Sequence, residues 1–326
     1  MKHYTLLSAV LLFAANLFAQ TWTKHPVSAT LPADSKILYI DPTGKVWVGG
    51  PGIWLSVWDG KQWTSETRPA DLPIADKDLY VTAMGFDAKN NRILGTNKGL
   101  IYQNYVIPAT LNRPIANLAN TKKQIFLLDD EGVSINQYGT TLNQLALPPS
   151  CPPVTKKNAP NPLLWDPKRS RLWAGSMSIN IEDEMWVHFE NMNNARDITL
   201  IPDNDIAFVS QTGELCFFNK KMDSICSYSV LYKEKTPIVL KAAKAAPNGS
   251  WWFTTYDAKA PFISVDTLTN KSLKLLSKVR SVTTVYFDPD INRDERPPVT
   301  DAPYDEIKSE TPNNDPNKVY DTDDIQ

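Results

Sequence analysis

A short phrase recurs along this chain, and it limits the folds that the chain can adopt. Each copy is the end of an apolar stretch, an Asp that opens a polar turn and, in three of the four copies, a second apolar stretch. The copies occupy residues 40–45, 86–92, 165–171 and 287–293. One such unit cannot bury its own apolar face, so stacking of successive units must form the core. The Asp is expected to cap each turn through its side chain.

Short apolar stretches separated by Gly, Pro, Asn or Asp predict antiparallel strands throughout the chain. The first unit, residues 35–66, has the pattern of four such strands, with turns at 42–44, 49–52 and 59–60. No long helical periodicity is present. Further units of similar length are expected at residues 78–108, 115–147, 162–190, 195–228 and 236–276, and a seventh begins at 282–287.

Units of about 30–40 residues with four strands each have the size of the blades of a β-propeller, which protects strand edges by closing into a ring. The sequence therefore predicts an all-β fold, a β-propeller of seven blades over residues 20–289, with six blades as the alternative. The pair Trp22-Thr23 repeats Trp63-Thr64, the outermost strand of the first unit. Residues 21–27 are thus expected to close the last blade, whose inner strand would be 282–287.

The two ends of the chain differ from the repeats. Residues 1–19 have a short polar start, a mostly apolar stretch and Ala19 before the expected cleavage site, which predicts a signal peptide, with a retained anchor helix as the alternative. Residues 290–326 are rich in Asp, Glu, Pro and Asn and poor in large apolar residues. This composition predicts a tail that is disordered or docked on a partner. Tyr320 and Ile325 are its expected apolar contacts.

The net charge and the predicted export limit the classes of partner that the protein can have. A formal net charge of −2 gives no basic footprint for nucleic acid. No segment after residue 19 is long and apolar enough to cross a membrane. The mature chain is therefore expected in the periplasm, at the outer membrane or at the cell surface, where disulfides are permitted. Cys216 and Cys226 flank a polar turn and are expected to form a disulfide, with two free thiols as the alternative.

Several units share more than the turn. The second retains Gly95-Thr96 and Gly99-Leu100, and the first has, in order, Asp41, Gly44, Val46-Trp47-Val48-Gly49 and Asp59-Gly60. These motifs resemble the repeats of the two-component-regulator-type β-propeller family, over most of residues 21–290. The resemblance implies the propeller fold and specifies no ligand. Free-standing exported members of Bacteroidota type, which this chain resembles, look like binding or scaffold subunits.

Few residues offer catalytic chemistry. After residue 19 the only histidines are His25 and His188, each in a predicted strand, where a structural role is expected. The acidic cluster 182–184 falls on a predicted hairpin turn, and residues 288–294 lack the Gly that a calcium loop requires at its sixth position. We therefore expect no catalytic residue, no cofactor and no metal site.

These observations favour a non-catalytic, exported propeller that binds protein as a subunit of an envelope or cell-surface assembly. A propeller that binds or cleaves glycans is one alternative, and it predicts aromatic side chains and carboxylates together at one mouth of the central channel. A periplasmic sensor domain working with a separate membrane partner is another, and it predicts a ligand pocket on the axis. Trp54 and Trp58 are candidate interface residues, with packing between blades as the structural alternative.

Overall fold

A computed structural model describes residues 20–286, apart from 71, 73, 75–77, 155–160, 182–184 and 203–204. Within these residues the chain forms strands β1–β27, numbered in chain order, in six antiparallel sheets. Each sheet is one blade. The predicted signal peptide and the predicted tail, with Tyr320 and Ile325, lie outside the described residues.

The first three blades each contain four consecutive strands. Blade 1 is formed by β2 (Lys36–Ile40), β3 (Val46–Gly50), β4 (Ile53–Trp58) and β5 (Trp63–Glu66). Blade 2 is formed by β6 (Val81–Phe86), β7 (Arg92–Thr96), β8 (Gly99–Tyr102) and β9 (Tyr105–Val106). Blade 3 is formed by β10 (Asn117–Asn120), β11 (Ile125–Asp129), β12 (Gly132–Asn136) and β13 (Asn143–Gln144).

The other three blades include strands from distant parts of the chain. Blade 4 is formed by β14 (Leu163–Asp166), β15 (Arg171–Ala174), β16 (Met177–Asn180), β17 (Met185–Phe189) and β27 (Thr283–Tyr286). Blade 5 is formed by β18 (Asp197–Leu200), β19 (Ile206–Val209), β20 (Leu215–Phe218), β21 (Ser224–Tyr232), β22 (Thr236–Ile238) and β26 (Leu273–Arg280). Blade 6 is formed by β23 (Leu240–Ala245), β24 (Trp251–Thr255), β25 (Phe262–Val265) and β1 (Trp22–His25).

The blades pack face to face around an axis. The first strand of each blade contacts the first strand of the next, in the order β2, β6, β10, β14, β18, β23 and back to β2. Six apolar clusters fill the interfaces, one between each pair of neighbouring blades. A strand such as β3 is therefore buried along its whole length, because another blade covers each of its faces. The β-propeller prediction is confirmed.

The number of blades is six, so the prediction of seven is wrong and the alternative count is correct. The strand expected at 282–287 is present as β27, but it pairs with β17 at the outer edge of blade 4. It does not begin a new blade, because blade 6 already packs against blade 1 through a cluster that includes Trp252 and Val48. The N-terminal strand β1 pairs with β25 of blade 6.

The last described strands run along the outside of the ring. β26 pairs with β21 of blade 5, and β27 follows on blade 4, so the chain returns past blades that it has already completed. None of the helices in the described part of the chain is long and apolar enough to span a bilayer.

Candidate functional site

The central channel widens where the inner strands end. The cavity there has a volume of about 1260 Å³ and is lined by residues from the inner strands of all six blades. Its walls are mainly apolar. We call this end of the channel the apolar mouth, and define it by six half-buried side chains: Tyr39, Ile40, Phe86, Leu164, Trp165 and Ile201.

The aromatic side chains of the apolar mouth are supported from the blade interiors. The rings of Tyr39 and Phe86 lie 5.4 Å apart, and Phe86 is 6.0 Å from Trp47. The ring of Trp165 stacks on Phe126, with centroids 5.5 Å apart. Because each ring is held by another, these side chains present apolar surface without having to be ordered by a ligand.

The Asp lies beside this mouth and caps the turn in three copies of the repeated phrase, as predicted, whereas the fourth copy, 287–293, lies outside the described residues. Oδ1 of Asp41 accepts hydrogen bonds from the backbone N–H groups of Thr43 (2.9 Å) and Lys45 (3.0 Å). Oδ1 of Asp166 accepts from the N–H of Lys168 at 3.0 Å. In blade 3, where the Asp is replaced, Oγ1 of Thr121 accepts equivalent bonds.

These hydrogen bonds favour the ionised form of the carboxylates and so lower their pKa values. Burial raises the pKa of Asp87, but hydrogen bonds from the Tyr102 hydroxyl, the Asn91 side chain and two backbone N–H groups outweigh it and lower the pKa to about 2. The pKa of Asp41 is also lowered, because hydrogen bonds from Thr43, Lys45 and Trp47 outweigh its burial. A general acid needs a raised pKa and a free oxygen. Both carboxylates instead stabilise turns.

An ion pair lies between the two ends of the channel. Nζ of Lys244 is 2.5 Å from Oδ1 of Asp197 and also donates to the carbonyl of Ile198 at 2.9 Å. Oδ2 of Asp197 accepts from the N–H of Ala243. Burial raises the pKa of Asp197, and the charge of Lys244 opposes that rise. Lys244 lines the cavities at both ends of the channel, so this pair marks the boundary between them.

The opposite end of the channel is polar. The cavity where the inner strands begin has a volume of about 580 Å³. We call it the basic mouth, and define it by Lys36, Arg196, Lys241 and Tyr256. The guanidinium carbon of Arg196 lies 5.3 Å from the centre of the Tyr256 ring, and Nζ of Lys241 lies 4.8 Å from it.

Both histidines have structural positions. His25 is buried against Trp252, with ring centres 4.7 Å apart, and accepts a hydrogen bond at Nδ1 from Nε1 of Trp63. Its Nε2 therefore carries the proton and donates to Oγ of Ser264 at 2.9 Å. Nε2 of His188 lies 2.9 Å from Oδ1 of Asn193. Within the described residues no group of His, Cys, Asp and Glu has the arrangement of a metal site.

The predicted disulfide is not formed, because Cys216 and Cys226 are both free. In the β20–β21 hairpin Cys216 lies opposite Ser227, while Cys226 lies opposite Phe217. Neighbouring residues of a strand point to opposite faces, so the two thiols lie on different sides of blade 5. The structure therefore has the free thiols of the alternative prediction.

The two tryptophans proposed as interface residues pack within the protein. Trp54 is 7% exposed and belongs to the cluster between blades 1 and 2. Trp58 is half-buried, with its ring 4.9 Å from His25 and 5.6 Å from Trp63. Neither residue lines the apolar or the basic mouth.

The residues of the apolar mouth were not singled out from the sequence, although a signal for them exists. Phe86 and Trp165 each come directly before the Asp of the repeated phrase, and Tyr39 comes two residues before it. Residues at equivalent places in stacked repeats lie at the same end of the ring. An aromatic residue that recurs at one place therefore predicts an aromatic mouth.

Comparison with known proteins supports the fold. No protein-family model matches the chain. No curated protein matches it either. A structural-genomics protein of unknown function from Bacteroides thetaiotaomicron is 11% identical, with a TM-score of 0.52 and 76% of each chain covered.

Two other solved structures share less with this chain. The extracellular domain of a hybrid two-component system protein from B. thetaiotaomicron is 12% identical, with a TM-score of 0.47, over 76% of this chain and 41% of that chain. YCF48 bound to D1 peptide is 10% identical, with a TM-score of 0.44, over 77% of this chain and 96% of that one. At such identities a likeness shows the fold alone, so the resemblance to the two-component-regulator-type family stays a prediction.

Proposed function

We propose that this protein is an exported, non-catalytic β-propeller that binds an extended, apolar segment of a protein partner in its apolar mouth. The observation that carries the proposal is the cavity of about 1260 Å³ with Tyr39, Phe86 and Trp165 in its wall. The partner would make this protein a subunit of an envelope or cell-surface assembly.

The size and chemistry of the apolar mouth favour a peptide segment over a small molecule. Pockets for small ligands have volumes of roughly 300–1,000 Å³, and this cavity is larger. Half-buried aromatic rings held in place by their neighbours are typical of the residues that contribute most to binding between proteins. The capped carboxylates add little polarity, so apolar contact would supply most of the affinity.

The absence of catalysis is part of the proposal, and three features support it. His25 is enclosed by tryptophans, and Asp41 and Asp87 have lowered pKa values. Burial raises the pKa of the Cys151 and Cys216 thiols to about 11, so neither is an activated nucleophile at neutral pH.

Export to the periplasm or the cell surface is also part of the proposal. It rests on the signal-peptide pattern of residues 1–19. A partner in the cell envelope would then be accessible to the mature chain.

The axial position of the cavity favours sensing as a second candidate function. A sensor domain that works with a separate membrane partner requires a ligand pocket on the axis, and the cavity of the apolar mouth has that position. The glycan hypothesis has weaker support, because aromatic rings gather at the apolar mouth but the nearby carboxylates are held in turns.

Selection of random peptides by phage display on the mature protein tests the proposal. We expect enrichment of peptides with clustered apolar residues, and at least a tenfold loss of their affinity in Leu164→Glu and Ile201→Glu. Tyr105→Ser is the matched control, because Tyr105 is 74% exposed on the outer strand of blade 2. Enrichment of no peptide, or equal loss in all three variants, would contradict the proposal. A single small apolar compound bound in place of peptides would favour the sensor.

A further inference from the structure

Two cations of the basic mouth share one aromatic ring. The guanidinium of Arg196 and the ammonium of Lys241 both lie about 5 Å from the centre of the Tyr256 ring. Arg196 also donates through Nη1 to the Tyr256 hydroxyl and through Nε to the carbonyl of Gln211 at 2.8 Å. Its position is thus fixed by two hydrogen bonds and a ring contact.

Neither cation forms an ion pair with a residue that the structure describes. Among the ion pairs of the described residues, none includes Arg196 or Lys241. Asp197 lines the same cavity, but Lys244 occupies its Oδ1. Asp34 is the other carboxylate among the described residues of the cavity wall. It is exposed, and Lys36 lies in the same wall. Two like charges held near one ring repel each other, and a ligand with several negative charges would be attracted to both.

The geometry points to an anion-binding site at the basic mouth, which binds a carboxylate-rich ligand such as an acidic peptide. The remaining N–H groups of Arg196 and the ammonium of Lys241 are donors that form charge-assisted hydrogen bonds with the carboxylates of such a ligand. The Tyr256 ring is 49% exposed and offers apolar surface to the ligand beside the charges. A volume of about 580 Å³ holds a few residues. This site lies at the other end of the channel from the apolar mouth and does not depend on peptide binding there.

Calorimetric titration of the full mature chain with N-acetyl tetraglutamate at low salt tests the site. We expect binding that weakens as salt is added, because the charges are accessible to water. The variant Arg196→Gln/Lys241→Gln should bind at least tenfold more weakly. Tyr256→Phe, which removes only the hydroxyl that orients Arg196, should bind about threefold more weakly.

The matched control is Lys122→Gln/Lys123→Gln, which removes two charges at the apolar mouth. It should bind within twofold of the wild type. Equal losses in both double variants would show that the ligand senses only net charge and would overturn the site. The inference would also be overturned by no binding to the wild type, or by tighter binding of inorganic phosphate than of tetraglutamate.

Discussion

The two mouths of the channel are formed by opposite ends of the same six strands, yet their chemistry is opposite. At the apolar mouth, Phe86 and Trp165 lie at the ends of inner strands, directly before the Asp that caps the following turn. At the basic mouth, where the strands begin, Arg196 and Lys241 surround Tyr256. A repeated turn therefore accounts for the apolar mouth. The cations around the Tyr256 ring at the basic mouth come instead from blades 5 and 6, at positions that are not repeated.

The boundary between the mouths depends on one ion pair. Asp197 is buried on β18 and Lys244 reaches it from β23, so the pair also joins blades 5 and 6. A buried charge that loses its partner is strongly destabilising. The contrast between the mouths can therefore be tested first at their boundary and then at each end.

Lys244→Met should have the largest effect on stability. It leaves Asp197 buried without its counter-ion, which costs about 3–5 kcal/mol of unfolding free energy at pH 7. Burial raises the pKa of Asp197 above its unfolded value, and without Lys244 the pKa rises further. A raised carboxyl pKa favours the folded state at low pH, and this contribution is lost as pH rises through the folded pKa.

Urea unfolding at pH 4 and pH 7 measures this effect. The difference between Lys244→Met and the wild type should be larger at pH 7 than at pH 4. Adding Asp197→Asn to Lys244→Met removes the unpaired charge and should recover part of the loss. An equal difference at both pH values would contradict the role given to the ion pair.

His25 should make the folding stability of the propeller sensitive to acid. This effect does not involve either mouth of the channel. Burial lowers the pKa of His25 from 6.5 to about 4. A lowered His pKa stabilises the folded state above the unfolded pKa, and this stability is lost as pH falls from about 6.5 towards 4. We expect a loss of about 2 kcal/mol over that range, after allowing for partial access of water to the ring.

Chemical unfolding of His25→Gln from pH 7 to pH 4 checks this expectation. The variant should be less stable than the wild type at pH 7 and should have a flatter pH profile. Ser264→Ala is the control, since it removes the partner of Nε2 but leaves the imidazole. A profile in His25→Gln as steep as that of the wild type would assign the acid sensitivity to other groups, and binding at the mouths would then need its own pH controls.

Trp165→Ala should weaken peptide binding at the apolar mouth by about tenfold, or 1.4 kcal/mol. The same change removes the stack on Phe126, which should lower stability by about 1 kcal/mol. Trp165→Phe keeps an aromatic ring on Phe126 and should keep most of the binding. Fluorescence anisotropy of a labelled, selected peptide measures the affinities. If both variants bind like the wild type, Trp165 does not contact the peptide.

Arg196→Gln and Lys241→Gln should have the smallest effect on the fold, within about 0.5 kcal/mol, because both side chains lie at the surface. Neither should change the affinity of a peptide selected on the apolar mouth. Thermal unfolding and the anisotropy assay check the two statements. A loss of peptide affinity in either variant would show that the two mouths act as one site.

The sequence alone was sufficient to predict the repeated turns. Asp41, Asp87 and Asp166 cap turns between the first two strands of blades 1, 2 and 4 because a turn is a local structure that its own residues determine. The same repeated phrase led to the incorrect prediction of seven blades. A strand that precedes an Asp in the sequence can be an inner or an outer strand, and only its distant partner, β17 in the case of β27, decides which.

The remaining features depend on register and on distant contacts. In the β20–β21 register Cys216 pairs with Ser227, one residue beyond Cys226. The two cysteines therefore lie on opposite faces of the blade. The basic mouth brings together Arg196, which precedes β18, Lys241 of β23 and Tyr256, which follows β24. No local pattern relates these three residues. Phe86 and Trp165 of the apolar mouth were predictable in kind, because both come directly before the Asp of the repeated phrase, whereas Tyr39 lies one residue further from it.

Site-specific photo-crosslinking in the native cell tests the central claim most directly. A photoreactive phenylalanine analogue would replace Ile201 at the apolar mouth, Lys36 at the basic mouth or Tyr105 on the outer strand of blade 2. We predict one defined protein adduct from position 201, at a segment rich in apolar residues, and no such adduct from position 105. An adduct of the same partner from position 105 but not from 201 would contradict binding at the apolar mouth.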